Sequence, residues 1–201
     1  MALILLTGSS GQVGGELVRT LAPLGQVVAP SRGDLDLTDV EAVRDMVRSL
    51  RPRWIVNAAA YTAVDKAEIE WDLAYAINGD SVRAIAEEAQ AIGAGVIHFS
   101  TEYVFDGRKV GVYTEEDATH PASVYGASKL AGEQALSGSG VFHAVFRTSW
   151  VYGATGKNFL RTILKLARER EVVRVVADQH GAPTWSRDLA KMTAQDRKSV
   201  V

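Results

Sequence analysis

The chain opens on Ala2-Leu3-Ile4-Leu5-Leu6-Thr7-Gly8-Ser9-Ser10-Gly11-Gln12-Val13-Gly14, a segment in which an apolar run meets a glycine-rich turn. A short, continuous apolar run followed by turn residues is typical of a strand buried in a parallel sheet. The stretch from the turn to about Leu24 has a helical pattern. The segment therefore predicts a strand, a turn and a helix in succession, which is the repeating unit of an α/β fold.

The rest of the chain continues this alternation. Further strands are expected at Gln26–Ala29, Trp54–Asn57, Val96–Ser100, Phe142–Thr148 and Val172–Val176. Helices are expected from Asp39 to Pro52, with a capping box of Thr38 and Glu41, and at Trp71–Ile92, Ser123–Leu136 and Asn158–Glu169. Such an order implies right-handed crossovers and a Rossmann-type, doubly wound parallel sheet. Residues 1–190 are expected to form an NAD(P)-binding domain that includes the start of a substrate region, and residues 191–201 a divergent tail.

The composition is typical of a globular protein with a substantial core. Of 201 residues, 47% are hydrophobic and 23% charged, and the net charge of -2 favours neither nucleic acid nor an anionic membrane. Cysteine is absent, which excludes disulfides and thiolate sites and fits a cytoplasmic location. The apolar N-terminal run is too short for a membrane span and lacks the basic leader of a signal peptide.

The glycines of the opening turn are spaced as in a dinucleotide-binding turn. Gly8, Gly11 and Gly14 let the backbone bend tightly and approach a pyrophosphate, whose charge is favoured by a helix N-terminus. The alternative is a plain turn with incidental glycines. The position directly after the first strand favours dinucleotide binding.

The end of the second expected strand bears on the choice between NAD and NADP. An acidic residue there selects the free 2′-hydroxyl of NAD, whereas this chain has Ser31 and Arg32, which can hold a 2′-phosphate. Equally open is that Arg32 is a solvated loop residue. Asp36 and Leu37 suit the neighbourhood of an adenine, or else Asp36 belongs to the turn before the cap at Thr38.

Two more strands end in small or hydroxylated residues. Asn57-Ala58-Ala59-Ala60 allows backbone to come close to a flat or charged ligand, or else serves tight helix–sheet packing. Ser100-Thr101 lies at the carboxyl edge, where open α/β sheets bind ligands. A hydroxyl there can hydrogen-bond a substrate carbonyl, or else satisfy local backbone groups.

Tyr125 and Lys129 are four residues apart on an expected helix, so both side chains share one face. A free tyrosine has a pKa of about 10, and a nearby cation lowers that pKa. The pair therefore suits proton transfer near neutral pH. Taken singly, each is explained better as an ordinary surface residue. Their joint occurrence with the glycine turn and Ser100-Thr101 favours a catalytic role.

The order of these features resembles the extended branch of the short-chain dehydrogenase/reductase superfamily. Longer strings, covering most of residues 1–190, resemble the family of dTDP-4-dehydrorhamnose reductases: Thr7 to Gly14, Asn57 to Glu68, Ser100 to Gly107, Arg147 to Gly153 and Asp178 to Thr184. The resemblance implies reduction, by NADP(H) or NAD(H), of the C4 ketone of dTDP-4-dehydro-6-deoxy-L-mannose. The product would be dTDP-L-rhamnose, a precursor of bacterial surface polysaccharide.

The resemblance also implies roles by position. Tyr125 would protonate the C4 oxygen, Lys129 would hold the nicotinamide ribose and lower the tyrosine pKa, and Thr101 would hydrogen-bond the ketone. Further cofactor contacts would come from Gly8, Gly11, Gln12, Val13, Arg32, Asp36, Leu37, Ala58, Ala59, Ala60 and Thr62. Further substrate contacts would come from Val64, Tyr103 and Trp150. Core packing is the alternative explanation for Trp150, and surface stacking for Tyr103.

The chain departs from the family pattern at two places. Glu102 replaces the usual aspartate after Ser-Thr, and because the charge is kept we expect a small effect. Family members continue into a C-terminal lobe that supplies much of the nucleotide-sugar pocket, whereas this sequence stops at Val201 and Met192–Val201 no longer resembles them. We therefore expect an intact cofactor half and a truncated substrate lobe.

Two other functions stay open. One is a catalytically silent, NADP-binding regulatory subunit, since a relative of the family serves methionine adenosyltransferase in that way. The other is a different nucleotide-sugar reductase or epimerase of the extended branch. The resemblance implies a nucleotide-sugar substrate and a homodimer, with no nucleic-acid or membrane partner. Glu16 matches a position linked in some relatives to magnesium at a dimer interface, but an exposed helix acid is the simpler explanation, so no metal is predicted.

Overall fold

The computed structural model describes residues 1–199 and contains two parallel sheets. The strands are β1 Leu3–Thr7, β2 Gln26–Val28, β3 Trp54–Asn57, β4 Gly95–Thr101, β5 His143–Thr148, β6 Val151–Tyr152 and β7 Thr184–Trp185. The main sheet has the order β2-β1-β3-β4-β5, and β6 pairs with β7. The chain extends the main sheet from β1 in both directions, so the predicted doubly wound, Rossmann-type architecture is confirmed.

Helices connect the strands. They are α1 Gln12–Leu21, α2 Val40–Leu50, α3 Val64–Ala67, α4 Trp71–Tyr75, α5 Ser81–Ile92, α6 Val124–Ser139, α7 Phe159–Glu169 and α8 Ser186–Ser199. Short 3-10 helices lie at Ala22–Leu24 and Glu102–Val104, and a π-helical segment lies at Ala76–Asp80. Within residues 1–199, no helix has the length and apolar character needed to cross a bilayer.

Each face of the main sheet packs against its own helices, because successive strand residues point to opposite faces. Leu5 and Ile55 lie in the core that α2, α5 and α6 cover. Ile4, Leu6 and Val56 lie in the core that α1 and α8 cover. The sheet is therefore buried on both sides, as the continuous apolar runs of its strands require.

The predicted cap of α2 is wrong by one residue. Asp39 is the cap, because its Oδ1 accepts a hydrogen bond from Ala42 N at 3.0 Å. Thr38 instead donates from its backbone N–H and its hydroxyl to Asp36 Oδ1, both at 2.9 Å. The capping box with Glu41 therefore does not form. Asp36 is part of the turn before the helix, which was one of its two interpretations.

The single helix expected at Trp71–Ile92 is interrupted by the π-helical segment, which carries the buried Asn78. Asn78 Nδ2 donates to Ser128 Oγ of α6 at 3.0 Å and to Tyr61 O at 3.0 Å. Its Oδ1 accepts from Tyr61 N at 2.9 Å. The wider π turn, a geometry that often occurs at functional sites, therefore ties the loop after β3 to the helix that carries the predicted catalytic pair.

The strand expected at Val172–Val176 is absent from the structure of the described chain. Three of its four valines, Val172, Val175 and Val176, are 72%, 51% and 67% exposed. A strand needs a neighbour for its backbone hydrogen bonds, and none of the described strands pairs with this segment. An apolar run of this length predicts burial only when such a neighbour exists.

The segment predicted to be a divergent tail begins inside α8. Thr193 is fully buried and Ala194 packs against the core under α1. Thr193 Oγ1 donates to Leu189 O at 2.8 Å, which satisfies the buried hydroxyl. Val200 and Val201 lie outside the described residues. The first residues of this segment are thus an integral part of the fold.

Candidate active site

A cavity of about 700 Å³ opens at the carboxyl ends of β1, β3 and β4. The sheet order changes direction between β1 and β3, and ligands of doubly wound folds bind at such a switch point. The residues predicted to have catalytic, cofactor-binding or substrate-binding roles all line this cavity: Gly8, Gly11, Gln12, Val13, Arg32, Asp36, Leu37, Ala58, Ala59, Ala60, Thr62, Val64, Thr101, Tyr103, Tyr125, Lys129 and Trp150. The fold thus brings together residues from widely separated segments.

The glycine turn packs against the end of β3 too closely for side chains. Gly8 has φ +73°, and a Cβ there would lie 2.5 Å from Ala59 N. A Cβ at Gly14 would overlap Gly8 O. The N-cap of α1 is Gly11, which has no side chain to occupy the first N–H groups of the helix. These N–H groups and the helix dipole suit an anion at this end of the cavity.

Gln12 joins the turn to the opposite side of the cavity. Its Oε1 accepts a hydrogen bond from Asn158 Nδ2 at 2.8 Å, and its Nε2 donates to Lys157 O at 3.3 Å. The side-chain amide is therefore already engaged. The predicted contribution of Gln12 to a pyrophosphate site falls to its backbone N–H.

The loop after β2 presents the cation of Arg32 and the carboxylate of Asp36 to the cavity mouth. Ser31 donates from its backbone N–H and hydroxyl to Asp34 Oδ2, at 3.0 and 2.6 Å. Hydrogen bonds from Thr38 hold the pKa of Asp36 below its usual value. Within residues 1–199 Arg32 makes no hydrogen bond, so its guanidinium is the group of this loop that is available to a ligand.

Tyr125 is placed by the tight approach of α6 to the turn after β4. Ser123 caps α6, accepting from Gly126 N at 3.1 Å. A Cβ at Gly126 would overlap Tyr103 O, so glycine is required where the two elements meet. The rings of Tyr125 and Tyr103 consequently pack edge to face, with centroids 5.6 Å apart.

Thr101 connects the Tyr125 phenol to the carboxylate of Glu102. Its hydroxyl donates to Glu102 Oε2 at 3.0 Å and is also hydrogen-bonded to Tyr125. A hydroxyl has one proton, and that of Thr101 points to Glu102, while its oxygen accepts from Tyr103 N at 3.2 Å. Glu102 Oε1 accepts from Ser149 Oγ at 2.9 Å. The predicted hydrogen bond from Thr101 to a ketone therefore requires its proton to leave Glu102.

Burial raises the pKa of Tyr125 to about 12, although its hydrogen bond with Thr101 acts in the opposite direction. The charges of Glu102 and Tyr103 also raise this pKa. The prediction that Lys129 lowers it is wrong for this structure. Tyr125 is therefore a neutral phenol at physiological pH, which is the state that a proton donor needs.

Lys129 is not among the groups that shift the pKa of Tyr125, and its ammonium is hydrogen-bonded elsewhere. Lys129 Nζ donates to Phe99 O at 2.7 Å and lies 3.2 Å from His98 Nε2. The side chain is 1% exposed. Burial lowers the pKa of Lys129 to about 8, and the negative charge of Glu133 partly offsets this effect. Lys129 therefore titrates much closer to neutral pH than a free lysine does.

Trp150 stands on the far side of the cavity with an unusual backbone. Its φ of 45° is rare for a bulky residue. Thr184 N donates to Trp150 O at 3.3 Å, next to the pairing of β6 with β7. A Cβ at Gly181 would lie 2.6 Å from the indole. The segment 178–184 therefore packs directly against Trp150, which is 46% exposed and not part of a core.

His98 was missed by the sequence analysis. It lies on β4 two residues before Ser100 and is fully buried. Burial, and then the charge of Lys129, lower the pKa of His98 well below its usual value, so the ring is neutral. The signal was a histidine within an otherwise apolar strand, since a buried polar group is normally paired.

The arrangement combines a neutral phenol, a buried amine and an anion-binding helix start around one cavity. It can bind a ligand with a pyrophosphate on the glycine turn and deliver a proton to a second ligand beside Tyr125. Residues 1–199 contain no cluster of three or more histidine or acidic side chains suited to a metal. Glu16 instead forms an ion pair with Arg19.

Comparison with known proteins places this site in a family. The family model of the RmlD substrate binding domain matches residues 1–200. The dTDP-4-dehydrorhamnose reductase of Burkholderia thailandensis is 51% identical over 191 residues, covering 95% of this chain and 64% of the relative. That of Escherichia coli K12 is 53% identical over 195 residues, covering 95% and 65%. The chain therefore spans just under two thirds of the length of these relatives.

Solved structures agree with the sequence comparison. The crystal structure of dTDP-4-dehydrorhamnose reductase from Bacillus anthracis str. Ames in complex with NADP has a TM-score of 0.94 and 39% identity. The similarity covers 100% of this chain and 72% of that chain. The fold described above is thus shared along the whole length of this chain.

Proposed function

The chain belongs to the family of dTDP-4-dehydrorhamnose reductases, and we propose that it reduces the C4 ketone of dTDP-4-dehydro-6-deoxy-L-mannose to dTDP-L-rhamnose with NADPH. The observation that carries the proposal is the position of Tyr125. Its neutral, buried phenol opens onto the same cavity as the free N–H groups at the start of α1.

The residues around the glycine turn fit NADP(H). Gly8 and Gly14 leave no room for a Cβ, so the backbone N–H groups of Gln12 and Val13 are accessible to a pyrophosphate. Arg32 supplies a guanidinium for a 2′-phosphate at the cavity mouth. The cofactor, when bound, supplies the hydride. The relative from Bacillus anthracis was crystallised with NADP, which supports the same choice here.

The residues on α6 and β4 supply the proton. Tyr125 donates its hydroxyl proton to the C4 oxygen as negative charge develops there. Thr101 is hydrogen-bonded to Tyr125 beforehand and orients the phenol. When Thr101 turns its own proton from Glu102 toward the C4 oxygen, the oxygen gains a second donor. Lys129, whose Nζ donates to Phe99 O and lines the same cavity, would hold the nicotinamide ribose beside Tyr125.

The far side of the cavity suits a sugar nucleotide. Trp150 offers an apolar face that excludes water from the reacting carbon. Tyr103, 39% exposed, and Val64 add apolar surface on the near side. Because sugar rings present apolar C–H faces as well as hydroxyls, an aromatic wall opposite Tyr125 fits this class of substrate.

The test is NADPH oxidation by the purified chain with freshly generated dTDP-4-dehydro-6-deoxy-L-mannose, followed as the loss of NADPH absorbance. Parallel fluorescence titrations measure NADPH and NADH binding. Oxidation with the rhamnose nucleotide as product supports the proposal. NADPH binding without oxidation contradicts catalysis by this chain and favours the alternative of a silent, cofactor-binding subunit.

Two further proposals concern the oligomeric state and the cellular location of the protein. We propose a homodimer in solution, which light scattering coupled to gel filtration tests directly. We also propose a cytoplasmic location, which the chemistry of a nucleotide-sugar reductase suits because its NADPH is a cytoplasmic reductant. Cell fractionation with an antibody to the chain tests the second.

A further inference from the structure

A row of three polar residues crosses the sheet beneath the cavity. Strand register places Thr7 of β1 beside Asn57 of β3, and Asn57 beside His98 of β4. Thr7 Oγ1 lies 2.5 Å from Asn57 Oδ1, and Asn57 Nδ2 lies 3.2 Å from His98 Nδ1. All three side chains are at most 3% exposed. The row is therefore a continuous, buried chain of hydrogen bonds.

The row ends on Lys129. His98 Nε2 lies 3.2 Å from Lys129 Nζ, which also donates to Phe99 O at 2.7 Å. A buried polar group without a partner costs free energy. Every member of the row must therefore find a consistent pattern of donors and acceptors.

Two patterns of the row correspond to the two neutral tautomers of His98. In the first, Asn57 Nδ2 donates to His98 Nδ1, the ring proton is on Nε2, and Lys129 is a neutral amine that accepts it. In the second, the Asn57 amide is rotated, so its oxygen accepts from Nδ1–H and its nitrogen donates to Thr7. His98 Nε2 then carries a lone pair that accepts from the Lys129 ammonium. The second pattern holds one more proton, which Nζ takes up from the cavity.

We propose that His98 is a positioning residue that serves both protonation states of Lys129, switching its ring tautomer as Lys129 gains or loses a proton. His98 remains neutral throughout, and the amide of Asn57 turns with the tautomer. This keeps Nζ in one place beside the cavity at either charge. The consequence for catalysis rests on the proposed function, whereas the switch does not.

The other charged and titratable groups near Lys129 are accounted for. Glu133 on α6 exchanges no proton with the row, because its carboxylate is paired with Arg147 of β5 through contacts of 3.1, 3.2 and 2.7 Å. Tyr125 on α6 is neutral, and the phenol interacts with the groups that follow β4, Thr101, Glu102 and Tyr103. Thr7 and Asn57 do not titrate. His98 is thus the titratable side chain in direct contact with Nζ among the described residues.

Nitrogen NMR of the ¹⁵N-histidine-labelled chain tests the switch without substrate or cofactor. The sequence has four histidines, and His98→Gln identifies the relevant signals by their loss. From about pH 5 to about pH 10 we expect these signals to stay those of a neutral ring. They should change from the Nδ1–H to the Nε2–H tautomer with a midpoint near the pKa of Lys129, about 8.

Two variants control the NMR experiment. Lys129→Met should abolish the midpoint and leave one tautomer at all pH values, and His143→Gln should leave the His98 signals unchanged. The proposal is overturned if the His98 tautomer of the parent chain does not change with pH. It is also overturned if the midpoint is still present in Lys129→Met. Formation of a doubly protonated ring overturns it as well.

The catalytic readout is the pH profile of NADPH oxidation. His98→Leu removes the acceptor for the ammonium, so the profile should move to lower pH and kcat should fall about tenfold. His98→Gln keeps an acceptor near the position of Nε2 and should restore the parent profile. Equal profiles for both variants contradict the positioning role. If the parent chain does not oxidise NADPH at all, the proposed function fails while the NMR experiment still decides the switch.

Discussion

The two sides of the cavity are built differently. The polar wall consists of the glycine turn, the carboxyl ends of β1, β3 and β4, and α6. We call residues 149–185 the outer wall, of which Trp150, Val151, Gly156 and Lys157 line the cavity. In the polar wall Thr101, Tyr125 and Lys129 are at most 9% exposed. In the outer wall Trp150 is 46% and Leu164 52% exposed, and no residue of α7, all of which is described, is buried.

The polar wall holds side chains whose positions must be fixed before a ligand binds. The outer wall holds apolar side chains that stabilise the protein or a complex only when they are covered. Side chains whose hydrogen bonds close within the fold are held in position before a ligand arrives. Exposed apolar side chains contribute to binding or stability only when something removes them from water. Substitutions in the polar wall should therefore change chemistry, cofactor binding and stability. Substitutions in α7 should leave the isolated chain nearly unchanged.

The largest effect is expected at the phenol. Tyr125→Phe removes the proton donor and should lower kcat for NADPH oxidation about 10³-fold. The dissociation constant of NADPH should stay within about twofold, because the phenol ring is kept. Tyr113→Phe, at a tyrosine outside the cavity whose hydroxyl donates to Asp106, is the matched control. Loss of NADPH binding in Tyr125→Phe would contradict the assignment of Tyr125 as a proton donor only.

The second effect is a gain of stability on removing the buried amine. Lys129 has a folded pKa of about 8 against 10.5 when free, so holding its ammonium inside the fold destabilises the native state below pH 8. The penalty declines as the pH rises from 8 to 10.5 and is absent above that range. Lys129→Met should therefore be more stable at neutral pH by up to about 3 kcal/mol, while losing activity.

Urea unfolding at several pH values checks this second prediction. The difference between Lys129→Met and the parent chain should vanish by about pH 10.5. Lys165→Met, at a lysine with a 74% exposed side chain, should show no such pH dependence. A variant that is less stable than the parent at neutral pH means that the hydrogen bonds to Phe99 and His98 outweigh the cost of burial.

The third effect compares two glycines. Gly8→Ala forces a Cβ against Ala59 at a positive φ, so it should lower the free energy of unfolding by about 1–3 kcal/mol. It should also weaken NADPH binding by about tenfold or more. At Gly138 in α6 a Cβ would have nothing within 4 Å, so Gly138→Ala should be neutral or stabilise by about 0.5 kcal/mol. Urea unfolding and NADPH titration measure both. Similar losses in the two variants would mean that the turn is not specially constrained.

The fourth effect concerns cofactor choice. Arg32→Ala should weaken NADPH binding about tenfold and NADH binding less than about twofold, because the guanidinium would meet only the 2′-phosphate. Parallel fluorescence titrations with both cofactors check this. Arg53→Ala, at an exposed arginine before β3, is the control. Equal losses for both cofactors would assign Arg32 to the shared part of the dinucleotide.

The smallest effect is expected in the outer wall. Leu164→Ala, on the half-exposed face of α7, should change the free energy of unfolding by less than about 0.5 kcal/mol. Leu136→Ala, fully buried beneath α6, should cost about 2–5 kcal/mol. A large loss at Leu164 would contradict the distinction between the two walls and show that a partner surface covers α7 in solution.

Much of the fold was predictable because its signals are local. The run Leu3–Thr7 and the spacing of Gly8, Gly11 and Gly14 indicate a strand and a turn without reference to the rest of the chain. The same is true of Trp54–Asn57, whose predicted and observed bounds agree. Val172–Val176 failed because the same local signal needs a neighbouring strand, and a neighbour is not a local property.

For the site, the sequence predicted a set of residues that the fold places around one cavity, and the folded chain set their chemical state. The four-residue spacing predicted that Tyr125 and Lys129 share one helix face. The positions of Thr101 and the Asn57 segment at strand ends predicted that they lie at the same edge of the sheet. The raised pKa of Tyr125, the lowered pKa of Lys129 and the contact with His98 all depend on burial and cross-strand register. The contacts of Lys129 with His98 and Phe99 join residues 31 and 30 positions apart along the chain, so periodicity and motif spacing do not encode them in a readable form.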